Sequence, residues 1–296
     1  MKTKIKSLAW LILYMAIAIG VQLIVGIAMG VIILKIGMVT GIAQNREGIQ
    51  QMLAEVAGYI STGLPLIVIS FLVELILLAC FAPWYYFREN KYDFRPDYRK
   101  AFSLKNVLCI IGIGYLGQYA ISLLLALVHM VLPGIFQSYE ELAENFDLGN
   151  GSPVLMIFFV CIFGPLAEEV VFRGMIYGKL RRAFSILPSL IISGVLFGIY
   201  HGNWVQGIYA AVFGMVLAYI YEKTQTIWGS YLLHAVFNLS SYIIMKIEEV
   251  IADVGLKIPV LAEILFYGIC TVVVVILICQ FRTGSEGQNL EENGAV

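Results

Sequence analysis

Residues 183–221 read AFSILPSLIISGVLFGIYHGNWVQGIYAAVFGMVLAYIY, 39 consecutive positions without Asp, Glu, Lys or Arg. A helix crossing a bilayer needs about 20 mostly apolar residues. The stretch is therefore too long for one crossing and about right for two, and His201-Gly202-Asn203 near its middle supplies the break. In hydrocarbon the backbone must satisfy its own hydrogen bonds, which leaves helices or closed barrels. Long apolar runs of this kind specify an all-α, polytopic integral membrane protein.

Outward from that stretch, charged residues mark where each further run stops. Ser7–Leu34 follows Lys2, Lys4 and Lys6 and resembles the opening of a signal peptide, with Ala16-Ile17-Ala18 mimicking a cleavage site. The apolar run continues past that point, so an uncleaved first helix is expected. Val56–Phe87, Asn106–Pro133 and Ser152–Gly178 follow, then the two helices of 183–221, then Thr226–Met245 and Pro259–Gln280. Composition agrees: 60% of residues are apolar and 13% charged, against about 25% charged in a soluble domain. Mean hydropathy is +0.87. With a net charge of −1, nothing suggests a nucleic-acid partner; the bilayer is the expected surround. The five cysteines lie in apolar runs without a CxxC pair, which reads as buried small hydrophobes.

Eight spans put both termini on one side. With that side cytoplasmic, 14 Lys and Arg fall inside and 4 outside, leaving Arg173 within a span. This satisfies the positive-inside rule loop by loop. The inside loop near 88–105 mixes aromatics with six basic residues, as expected at a headgroup interface. The loop carrying Glu140, Glu141, Glu144 and Asp147 is expected to be solvated, and the tail 282–296 disordered. The division expected is three spans over 1–149, a functional core over 150–246, a last span over 247–281 and the tail. No internal repeat supports an inverted-repeat transporter.

Ionisable residues inside spans are costly and by default mark function. The fourth span holds Glu168-Glu169-Val-Val-Phe-Arg173. Glu169 and Arg173 are four apart on one helical face and can pair; Glu168 points about 100° away and needs another partner. His201 ends the fifth span, and His234 lies in the seventh with Asn238 one turn later. Two histidines, an asparagine and an unpaired glutamate on three helices are most easily satisfied together. A carboxylate and an imidazole can deprotonate water, while an imidazole and a carboxamide can donate to an oxyanion. The same set could instead hold zinc through His201, His234 and Glu168. Neither HExxH nor GxSxG occurs. His129 stands apart from this group, and Glu74 is expected to make a helix–helix hydrogen bond. On straight helices rising 1.5 Å per residue, His201 would lie about 5–10 Å deeper than Glu168 and about 8–13 Å deeper than His234, a gap that helix tilt or a later start of the fifth helix would close.

Glu168-Glu169-x-x-x-Arg173, Phe197-x-x-x-His201 and His234-x-x-x-Asn238, in this order, resemble the three motifs of the CPBP family. These are the CAAX-protease and bacteriocin-processing (Abi) intramembrane endopeptidases. The resemblance covers roughly 150–245. It implies that Glu168, with His201, is the general base for water, that Glu169 supports the site with Arg173 holding it, and that His234 and Asn238 form the oxyanion hole. Members are described both as metalloproteases and as metal-free glutamate enzymes, so the cofactor is either none or a zinc ion. The expected activity is cleavage of a peptide or membrane-anchored protein near the cytoplasmic face of a cell membrane. The rival reading is a non-catalytic binding, immunity or scaffold protein whose polar residues are helix–helix glue, with a transporter third.

Overall fold

The computed structural model describes residues 2–39, 63–89, 97–136, 154 and 157–281. Among these there is no strand, and eight long helical runs account for nearly all of them. We label them α1 (Lys2–Val39), α2 (Gly63–Trp84), α3 (Leu104–Val131), α4 (157–183), α5 (Ile186–Tyr200), α6 (Trp204–Thr224), α7 (Ile227–Asp253) and α8 (Val260–Gln280). Five of them contain stretches long and apolar enough to cross a membrane: α1, α2, α3, α6 and α8. The other three depart for visible reasons. α5 is apolar but only 15 residues long, α4 carries the Glu-Glu-Arg group, and α7 interrupts its apolar residues with Ser230, His234, Asn238, Ser240 and Ser241. The protein is an all-α, multi-pass membrane protein.

α7 extends eight residues beyond the expected end at Met245. Its added turns expose Lys246 and Glu249, which pair at 2.8 Å, so the helix continues as a polar one. Cys80 and Cys279 are exposed on the surface rather than buried; Cys109, Cys161 and Cys270 are buried, and all five are free thiols. Part of the basic loop forms a short helix, Tyr98–Ala101, capped by the Asp97 side chain. Residues 90–96, the acidic loop and the tail lie outside the described residues.

The break between α5 and α6 falls where the residue types allow it. Gly202 adopts a left-handed φ of 70°, open to glycine at no steric cost, and the Asn203 side chain caps α6 by accepting from Gln206 N. The two helices then return in close contact. A methyl at Gly198 would run into the Gly207 carbonyl, and one at Gly214 would come within 3.1 Å of Gly194 Cα. Small residues permit such backbone approach between membrane helices. At its far end α4 is pinned to α6: Arg181 pairs with Glu222 at 3.0 Å, and Tyr177 Oη donates to the same carboxylate at 2.8 Å. α1 and α2 meet through a cluster of Trp10, Tyr14, Phe81 and Trp84.

α4 is not a uniform helix. Ile157–Phe163 and Val170–Tyr177 are wound in the wider i→i+5 form, flanking the α-helical turn Gly164–Glu169. Pro165 near the start of that turn has no N–H to offer. Wide turns of this kind change which side chains share a face, and they recur at functional sites.

Candidate active site

Where α4 changes winding, Glu169 and Arg173 form the expected ion pair, Oε1 to Nη1 at 3.1 Å, with both side chains fully buried. Arg173 Nη2 also donates to the Gly214 carbonyl of α6 at 3.0 Å, and its guanidinium lies 4.7 Å from the centre of the Phe197 ring. A charge buried this deeply is tolerable only when paired and hydrogen-bonded. Arg173 thus ties together three helices, α4, α5 and α6.

Glu169 Oε1 is held from a second side by His234 Nδ1 at 3.1 Å. A carboxylate oxygen can only accept here, so Nδ1 carries the proton, and Nε2 is the nitrogen turned away from Glu169. His234 Nε2 lies 3.5 Å from Glu168 Oε2. The imidazole therefore lies between two glutamates on α4, with Nδ1 toward Glu169 and Nε2 toward Glu168. Phe197 and Phe213 flank the ring edge-to-face, at 5.8 and 5.5 Å between centroids, which fixes its plane. The partner that Glu168 lacked on its own helix is thus His234.

His201 is oriented differently. Its Nδ1 lies 2.7 Å from the Phe197 carbonyl one turn back, so Nδ1–H donates and Nε2 bears the lone pair in the neutral ring. Asn238 Nδ2 donates to the Val160 carbonyl at 2.8 Å, which commits one of its two amide hydrogens. Glu168, His201, His234 and Asn238 all line one cavity of about 770 Å³. They converge on this cavity despite the offset in depth expected on straight helices. His129 is remote from this cavity and stacks near Phe136 at 4.7 Å.

The first three helices contribute more than membrane anchorage. Gln22 of α1, Ser70 and Glu74 of α2, and Gln118 and Ser122 of α3 line the same cavity. Gln118 Nε2 donates to the Phe237 carbonyl at 2.7 Å, pinning α3 to α7 beside Asn238. The helix–helix hydrogen bond expected of Glu74 is absent among the described residues. Its carboxylate instead packs on Gly164, where a methyl would meet Oε1 at 2.7 Å. Phe197 was legible as a motif residue but not as the ring that touches Arg173, His201 and His234 together.

Among the described residues no three His, Cys, Asp or Glu side chains converge to hold an ion. His201 Nδ1 is committed to a backbone carbonyl and His234 Nδ1 to Glu169, which leaves Nε2 of each ring as the nitrogen facing any further partner.

With this arrangement in view, comparison with known proteins is informative. Residues 150–240 match the family model described as type II CAAX prenyl endopeptidase Rce1-like. Residues 150–240 are thus similar to the CPBP family. The three motifs that carried the resemblance all lie inside this segment. The chain is also 32% identical over 117 residues to the "Putative membrane peptidase YdiL" of Bacillus subtilis (strain 168), a match covering 40% of this chain and 47% of that protein. The match thus spans about half the length of the curated relative. No solved structure matches.

Proposed function

We propose that this protein is an intramembrane endopeptidase of the CPBP type that hydrolyses a peptide bond with water activated by Glu168 and His201. The observation that carries the reading is His234 suspended between Glu168 and Glu169 in a cavity also lined by His201 and Asn238. The family match and the membrane peptidase relative support the reaction class.

In this mechanism Glu168, assisted by the His201 Nε2 lone pair, takes a proton from a water in the cavity as its oxygen attacks the carbonyl carbon. The oxyanion that forms is met by the second Asn238 amide hydrogen and by His234 Nε2–H, the imidazolium being balanced by Glu169. Arg173 keeps Glu169 charged and in place. The C–N bond then breaks, and the departing nitrogen takes the proton held by Glu168. Both products leave with atoms and charges balanced. The site is proposed to open toward the cytoplasmic side of a cell membrane, consistent with the 14-to-4 distribution of basic residues. The substrate is a peptide or a membrane-anchored protein segment.

The test compares wild type with Glu168→Gln on a quenched-peptide library in liposomes, with chelator and after zinc repletion. Glutamine keeps the shape and removes the base, so cleavage is expected to fall by about 10²–10⁴-fold in a variant that remains folded. Equal cleavage by both proteins would remove Glu168 from the mechanism. Cleavage by neither would favour a non-catalytic binding protein. Activity that disappears with chelator and returns with zinc would replace metal-free water activation.

A further inference from the structure

The cavity wall contains two carboxylates, Glu74 and Glu168, and neither lysine nor arginine. The remaining polar lining includes Gln22, Gln118 and Gln206, which carry no charge. Among the described residues Glu168 is met by His234, whereas no lysine or arginine lines the wall beside Glu74. An ionised carboxylate inside a membrane helix without a cation is costly, so the charged form of Glu74 is favoured only when a cation reaches it. The geometry also sets where that cation would be. Glu74 packs on Gly164, and Gly164 is four residues before Glu168, one turn along the same face of α4. At 1.5 Å per residue the two points are about 6 Å apart. An extended peptide covers that distance in about two residues at 3.3 Å each.

We infer that the cavity selects a peptide bearing a positive charge within two residues of the bond presented to Glu168, and that Glu74 is the specificity-determining residue that takes this charge. The inference rests on the peptidase reading for its placement of the scissile bond. Incoming Lys or Arg would neutralise Glu74 with an ion pair in a low-dielectric wall, where such pairs are strong. An acidic residue at the same position would face Glu74 without a counter-charge, which like-charge juxtaposition disfavours.

The experiment uses one short neutral host peptide of Leu, Ala and Gly, with a single central Lys, Gln or Glu. Binding is measured by fluorescence anisotropy to the full chain carrying Glu168→Gln in nanodiscs, and cleavage is measured separately with wild type. The expected order of affinity is Lys, then Gln, then Glu, with at least about tenfold between Lys and Glu. Adding Glu74→Gln should collapse that ratio. Placing a carboxylate one turn away on the same lining face, with Ser70→Asp in the Glu74→Gln background, should restore part of it, which a purely structural role for Glu74 would not allow. If Glu74→Gln does not fold, Glu74→Asp is used and should keep the order. Equal binding of the three peptides, binding of none, or a preference unchanged by Glu74→Gln would overturn the inference. Cleavage by wild type without charge preference would overturn it and leave the peptidase reading standing. Charge-ordered binding without any cleavage would do the reverse.

Discussion

The two sides of the cavity are built on opposite principles. On the α4–α7 side, Glu169, Arg173 and His234 are nearly or fully buried, and each is held by at least one charged or hydrogen-bonding neighbour. On the α1–α3 side, Gln22, Ser70 and Glu74 face the same space, and Glu74 has no cation among the described residues. The first side is assembled before anything enters; on the second, the Glu74 carboxyl is left to be paired. Binding energy and reactivity are thereby separated, because a preorganised group costs no rearrangement at the moment of reaction, whereas a wall with unused polar groups discriminates by what it can pair with.

That contrast can be broken most severely at Arg173. Arg173→Ala leaves the Glu169 carboxylate buried with only His234, and is expected to cost about 3–5 kcal/mol of stability, read as a fall in thermal midpoint in detergent or nanodiscs, with loss of any cleavage. A midpoint unchanged by this substitution would mean that the α4–α7 side is not held together by the ion pair. A smaller effect is expected at Gln118, which joins the two sides. Gln118→Leu removes the hydrogen bond to the Phe237 carbonyl and should cost about 1 kcal/mol, with the loss appearing chiefly in the packing of α3 on α7, measurable by hydrogen exchange in α7. The smallest effect on stability is expected at Glu74. Glu74→Gln removes an uncompensated carboxylate from the membrane interior, so the midpoint should stay level or rise. A marked fall would mean that Glu74 is structural cement like Arg173, and the contrast between the two sides would disappear.

Reading the residues alone reaches a good deal of this arrangement. The helix break at His201-Gly202-Asn203 is legible because glycine and asparagine have distinct roles at helix ends. The Glu169–Arg173 pair is legible because positions four apart share a face. Cys80 and Cys279 were misread as buried because in a bilayer an apolar surroundings need not be protein; lipid serves as well. The place of Glu74 on the cavity wall is not legible, because a lone carboxylate on a helix does not reveal which neighbour it faces. The partnership of Glu168 with His234 lies 66 positions apart along the chain, and spacing says nothing about contacts at that range.

What the sequence determined by itself was the class of molecule and the inventory of its chemistry. Charge-free runs of about bilayer length can only be spanning helices, and the few ionisable residues within them stand out because hydrocarbon makes them costly. What only the tertiary structure decided was which of those residues meet. The close glycine-mediated return of α6 on α5, the altered winding of α4 and the fully buried Arg173 bring His234 between two glutamates and turn Glu74 into the same cavity. Those contacts depend on how helices pack side by side, and helix packing is a property of surfaces in three dimensions rather than of any one segment's period.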